Sequence, residues 1–176
     1  MPDPTVPFDA PVLAVLGGGQ LGRMLALAGI PLGVRFRFLD PSADAPAGAL
    51  GPLVVGALGD ASALDDTTRG ADVVTYEWEG VPGDAAARVA ERLPVHPSVR
   101  ALTVSQDRLH EKQLFTRLGI GVPRFAPVDE RDALRRAVAD IGPPVVVKTR
   151  TGGYDGKGQA VVHTERDVEA AWDAVG

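Results

Sequence analysis
VVVKTRTGGYDGKGQAVV, Val145 to Val162, sets an apolar run ending in a lysine against a second apolar run, with four glycines, a Tyr-Asp pair and another lysine between them. Two short β-branched runs joined by a glycine-rich connection predict paired strands with a covering loop. The loop is not a P-loop, because no Gly-Lys-Ser/Thr step leads into a helix. Glycines let backbone N–H groups approach phosphate oxygens closely. Lys148, at its strand end, sets a fixed positive charge beside them, and phosphoryl transfer needs mainly positioning and charge neutralisation. The bland alternative is a hairpin loop with solvated lysines, but a plain hairpin has no use for so many glycines.

Working outward, GQAVVH is followed by TERDVEAAW, a helix with Thr164 as its cap. Upstream, DERDALRRAVADIG reads as a surface helix capped by Asp129, VPRFAPV (122–128) as a short strand, and SQDRLHEKQLFTRLG (105–119) as an amphipathic helix with Leu109, Leu114, Phe115 and Leu118 on one face. The N-terminal part alternates strand and helix. VLAVL (12–16), VRFRFLD (34–40), LVVGAL (53–58) and DVVTYEWE (72–79) read as strands. Helices follow from Gln20 to about Leu32, after Asp60 as a cap with Gly70 as a stop, and around Pro82. Such alternation favours an α/β fold with a parallel sheet. A boundary falls between residues 97 and 105, giving domains 1–100 and 101–176.

Composition limits the function. The chain has 176 residues, 45% of them hydrophobic, which allows a real core. A net charge of -5 argues against nucleic-acid binding. The absence of cysteine excludes disulfides and thiolate metal sites. The N-terminus lacks the pattern of a secretory signal, and LALAGIPLGV, the longest apolar stretch, is too short for a membrane span and contains Pro31. A cytoplasmic protein is expected, with no membrane partner. His96, His110 and His163 form no metal spacing. Glu165, Asp167, Glu169 and Asp173 read as a solvated helix face. Trp78 and Trp172 read as core or rim residues.

GGGQLG fits G-x-G-x-x-G at Gly17, Gly19 and Gly22, after a strand and opening a helix, with Asp40 at the end of the next strand. Two readings stand: a dinucleotide site with Asp40 on the ribose, or a tight strand-to-helix turn without a nucleotide.

VLGGGQLGRMLALAG, DVVTYEWEGVP, SQDRLHEKQLF and VVVKTRTGGYDGKGQ, in this order and spacing, resemble the 5-(carboxyamino)imidazole ribonucleotide synthetases. These are ATP-grasp ligases of purine biosynthesis, also called the ATPase subunit of phosphoribosylaminoimidazole carboxylase. The resemblance runs from Pro11 to Val162. It implies a Rossmann-like pre-ATP-grasp domain followed by the first part of an ATP-grasp domain. It also implies that the first loop faces the ribonucleotide rather than NAD, with Gly19, Gln20, Leu21 and Glu77 on the substrate side and Asp40 as a strand-end cap. By the same resemblance Arg108 and Lys148 are ATP-phosphate ligands. The loop Gly153, Tyr154, Asp155, Gly156, Lys157, Gly158 and Gln159 closes over those phosphates. Tyr154, Asp155 and Lys157 lie near bicarbonate and the imidazole amine. The family often carries Asn where Gly80 stands, so a side-chain contact made there has no counterpart in this chain.

The implied substrates are ATP, bicarbonate and aminoimidazole ribonucleotide. Magnesium is the implied cofactor, its ligands expected downstream of Gly176 with none in this chain. A homodimer and a functional link to the pathway's next enzyme, a mutase, are the implied partners. The chain reads as about half of such an enzyme, inactive alone. Two other functions compete. A formate-using purine relative has a Ser-rich second loop, which GGYDGKGQ lacks. A non-catalytic nucleotide-binding or interaction module could be built on the first loop.

Overall fold
The computed structural model describes residues 10–153 and 156–175. The chain divides into two compact units, Met1–Thr103 and Val104–Gly176.

The first unit is a four-stranded parallel sheet in the order β3-β2-β1-β4. Its strands are β1 (Val12–Leu16), β2 (Arg35–Asp40), β3 (Leu53–Val55) and β4 (Val73–Tyr76). Alternation sends the residues of each strand to opposite faces, and both faces are covered. Val12, Ala14, Leu16 and Leu39 pack with Leu64 of α2 (Ala61–Thr68) and with Ala86 and Val89 of α3 (Gly83–Ala90). Val15, Phe36 and Phe38 pack on the other face with Ala26 of α1 (Gln20–Gly29). The rings of Phe36 and Phe38 stack with centroids 6.0 Å apart. Asp60 caps α2 by accepting from the Ala63 amide at 2.8 Å, as its position predicts. β3 and β4 are shorter than the sequence suggests, although the Gly56 amide still donates to the Asp40 carbonyl and the Glu77 amide to the Leu16 carbonyl just past their ends.

A short helix, α4 (Val99–Ser105), lies across the stretch where the sequence places a domain boundary, anchored in the first unit's core by Leu102. The second unit begins with α5 (Arg108–Arg117), capped by Asp107, and continues through α6 (Arg131–Ile141), the antiparallel hairpin β5 (Val145–Lys148) and β6 (Gln159–Val162), and α7 (Val168–Val175). Val145, Val147, Ala160 and Val162 face Leu134, Val138, Val168 and Ala171 of the two helices. Val146 and Val161 pair on the opposite face and are about half exposed.

Two expectations are corrected here. Residues 122–128 form no strand, since Pro123 and Pro127 each remove a ladder donor. The cap position of α6 is Glu130, one residue later than Asp129, and its side chain bonds Arg136 rather than capping the helix. Thr164 does cap as expected, in a reciprocal box with Asp167.

Phe38 is fully buried at the centre of the first sheet. Phe38→Ala should cost about 3–5 kcal/mol, the scale for emptying a packed aromatic site. A urea midpoint equal to that of the parent chain would contradict this placement of the core.

Candidate functional site
In the first sheet the chain moves outward from β1 to β2 and β3, then returns to place β4 on β1's other side. Ligands of open parallel sheets bind at such a reversal, outside the carboxyl ends of the strands. Two segments meet there: Gly17–Gly22 after β1 and Glu77–Gly80 after β4. The Glu77 amide donates to the Leu16 carbonyl at 3.2 Å, which holds the second segment to the first.

The Glu77 side chain fills the glycine loop. One carboxylate oxygen accepts from the Gly19 amide at 3.0 Å and the other from the Gly22 amide at 2.6 Å. These donors belong to the N-terminal end of α1, which has no side-chain cap of its own. A negative group is favoured there by the helix dipole and by its unpaired N–H groups. The glycines make room for it. A β-carbon on Gly17 would lie 2.4 Å from Glu77 Cγ, and one on Gly19 would lie 2.7 Å from Oε1. A β-carbon on Gly22 would lie 3.2 Å from Oε2. The spacing that suggested a dinucleotide is thus satisfied by the chain's own carboxylate. Asp40 accepts from the amides of Gly18 and Ser42, both at 2.8 Å, and serves as a strand-end cap rather than a ribose ligand. Gln20 and Leu21 stand exposed on the first turn of α1.

In the second unit the glycine loop is rooted on α5. The Arg108 amide donates to the Arg150 carbonyl at 3.0 Å. The two terminal guanidinium nitrogens of Arg108 donate to the carbonyls of Thr149 at 2.9 Å and Gly153 at 2.8 Å. Arg150 returns the tie, its Nε donating to Asp107 at 2.7 Å. The Thr149 amide donates to the Gly158 carbonyl at 2.9 Å, which closes the described base of the loop. Gly153, Gly156 and Gly158 are left-handed, and a β-carbon on Gly153 would strike the Lys157 carbonyl at 2.6 Å. Lys148 shares the uncovered face of the hairpin with its partner Gln159. A cleft of about 810 Å³ in this unit is lined by Arg108, Lys112, Phe125, Val147 and Lys148 among others. Tyr154 and Asp155 lie outside the described residues.

Arg108 therefore meets the loop's own carbonyls. A guanidinium has five N–H donors, so the two used here leave others for an anion. Sequence reading missed the Asp107–Arg150 tie, which joins residues 43 apart. The acidic residues of α7 are also more engaged than a solvated face implies: Arg131 pairs with Glu169 and Asp173, and Arg135 with Glu169. Among the described residues no three His, Asp or Glu side chains gather as a metal site.

The family model of the ribonucleotide synthetase preATP-grasp domain matches residues 11–106, and that of the ATP-grasp domain matches residues 113–176. N5-carboxyaminoimidazole ribonucleotide synthase of Pseudomonas aeruginosa is 47% identical over 93% of this chain, which covers 46% of that protein. The synthase of Mycobacterium tuberculosis is 42% identical over 94% of this chain and 38% of its own length. The crystal structure of the synthetase from Thermus thermophilus matches with a TM-score of 0.85 and 50% identity, over 93% of this chain and 44% of that one. The Aspergillus clavatus synthase in complex with ADP and 5-aminoimidazole ribonucleotide matches with a TM-score of 0.86 and 27% identity, over 95% of this chain and 44% of that one. The chain thus spans less than half the length of these relatives.

Glu77→Gln should cost about 1–3 kcal/mol, because an amide group would face one of the two backbone donors. A urea melt unchanged by the substitution would refute the clasp. The Asp107 carboxyl is raised by desolvation, but bonds from the His110 and Leu109 amides and the Arg150 guanidinium outweigh this and hold it below its ordinary value. A carboxyl lowered by folding stabilises the fold above its unfolded pKa, about 3.9, and that contribution fades as pH falls through the lower folded value. The stability gap between the parent and Asp107→Asn should therefore be full at pH 6 and shrink below pH about 4. Urea midpoints at both pH values check this, and a gap independent of pH would contradict it.

Proposed function
The chain belongs to the ribonucleotide synthetase preATP-grasp family, and from that membership we propose that it forms the N-terminal part of an ATP-dependent ligase that carboxylates 5-aminoimidazole ribonucleotide with bicarbonate. The observation that carries the reading is the build of the second glycine loop. Lys148 stands at its entrance, Arg108 is bonded to its root, and left-handed glycines bring its backbone within reach of phosphate oxygens. That apparatus suits a polyphosphate. The first loop, its anion position filled by Glu77, suits a different role beside the ribonucleotide.

In this proposal a bicarbonate oxygen attacks the γ-phosphorus of ATP, the bond to the β–γ bridging oxygen breaks, and ADP leaves. The exocyclic amine of aminoimidazole ribonucleotide then attacks the carboxyl carbon, either in carboxyphosphate or in the CO2 released from it. Phosphate departs with its electron pair, and the amine gives up a proton. Lys148, Arg108 and the backbone of Gly153–Gln159 hold the phosphates. Tyr154, Asp155 and Lys157 face bicarbonate and the amine, with Asp155 as the acceptor of the proton. Gly19, Gln20, Leu21 and Glu77 form the substrate side, where Glu77 acts by fixing the loop. Magnesium would supply charge screening of the phosphate oxygens, its ligands drawn from beyond the described residues. No helix among the described residues is long and apolar enough to cross a membrane. A homodimer would cover Met24, Leu27 and Leu32, which are exposed on α1 and the turn after it. The carbamate product is the kind of substrate a carboxyl-moving mutase takes.

The test joins this chain to the C-terminal portion of the Pseudomonas aeruginosa relative and follows ADP release. Release that depends on both bicarbonate and aminoimidazole ribonucleotide is expected, and Lys148→Ala should lower it by roughly a hundredfold. Asp155→Asn should keep ATP affinity by calorimetry and lose product formation on a similar scale, about a hundredfold. Release indifferent to the ribonucleotide, or to Lys148→Ala, would remove the assignment.

A further inference from the structure
Trp78 is the second residue beyond the end of β4, at the reversal point of the first sheet, between Glu77 and Glu79. It is 48% exposed, an unusual state for so large an aromatic ring. Its position relative to Gly80 shows how it is held. A β-carbon on Gly80 would lie 2.2 Å from Cη2 of the indole and 2.4 Å from both Cζ2 and Cζ3. A point beyond the ring edge at that distance from Cη2 would stand much farther from the two neighbouring carbons. The near-equal distances put it over the ring face instead. The Gly80 backbone therefore supports one face of the six-membered ring, and a β-carbon there would displace the indole from this position. With that face against Gly80, about half of the residue still lies exposed.

We infer that Trp78 is a stacking platform for the aromatic ring of the ribonucleotide substrate, with Gly80 as the residue that seats it. The inference rests on the proposed substrate and adds a residue to its recognition. A flat, half-exposed ring backed on one face by the chain suits a planar heterocycle, and ring stacking is tolerant of atom identity but demands planarity. The neighbouring Glu77 carboxylate, bonded to Gly19 and Gly22, fixes the start of the segment so that the indole is presented at a set place. Acidic residues on both sides of Trp78 disfavour an anionic ring and suit one that carries an amine. A ring held flat on the indole also limits the directions its exocyclic amine can take, which serves an attack on a carboxyl carbon.

The experiment uses this chain with Trp172→Phe, which leaves Trp78 as the single tryptophan. Aminoimidazole ribonucleotide and ribose 5-phosphate are titrated separately, with tryptophan emission and calorimetry read in parallel. Saturable quenching by the ribonucleotide and none by ribose 5-phosphate is expected. Trp78→Ala should weaken ribonucleotide affinity by roughly tenfold, and Trp78→Phe should recover most of it. Calorimetric binding with unchanged emission, or with equal affinity in Trp78→Ala, overturns the stacking role while leaving the substrate assignment standing. No calorimetric binding of the ribonucleotide, either by this chain or by the chain joined to the C-terminal portion of the Pseudomonas aeruginosa relative, overturns the substrate assignment, and the platform with it.

Discussion
The carboxylate of Glu77, shared between the amides of Gly19 and Gly22, is the contact on which the first unit's ligand end depends. It joins segments more than fifty residues apart and does so with charge-assisted bonds, which are stronger than neutral ones. It also supplies the negative charge that the start of α1 lacks from its own residues. Three glycines follow from it, since a side chain at Gly17, Gly19 or Gly22 would crowd the carboxylate. The pairing of β1 with β4 brings the two segments together, and the carboxylate then fixes them. The strand order and the glycine pattern are two consequences of one packing requirement.

That requirement explains where sequence reading ran short. A G-x-G-x-x-G spacing after a strand reports a turn at which the backbone approaches something closely, and the approaching group is unspecified. Here it is a side chain from β4's exit, a partner no local pattern reveals. What local chemistry governs was legible: alternating apolar strands, the Asp60 cap, the Thr164 box and the hairpin around the second loop all stand where periodicity and capping place them. No strand forms at 122–128 because Pro123 and Pro127 remove ladder donors that its apolar residues do not replace. The helix Val99–Ser105 was hidden by its shortness, and it is held by Leu102 in the core rather than by helix propensity. The ties of Arg108 and Arg150 join residues more than forty positions apart and could not be read from either segment alone.

The two glycine loops solve opposite electrostatic problems. In the first, amide donors converge and an internal carboxylate occupies them, so the loop has little appetite for a further anion. In the second, cationic side chains are brought to the loop and tied mainly to neutral carbonyls, which orient Arg108 without cancelling its charge. The Asp107 carboxylate pairs with Arg150, leaving Arg108 as the oriented cation at the root. Lys148 adds a second cation on the open face of the hairpin. A phosphate chain is drawn to the loop whose positive charge is uncompensated and is disfavoured where a carboxylate already sits. The same residue type, glycine, is used at both places because both need backbone at close range. What differs is the sign of the group that each backbone is arranged to meet, and in the proposed reading this charge difference, more than either spacing, favours the second loop for a polyphosphate and the first for a neutral ring and its amine.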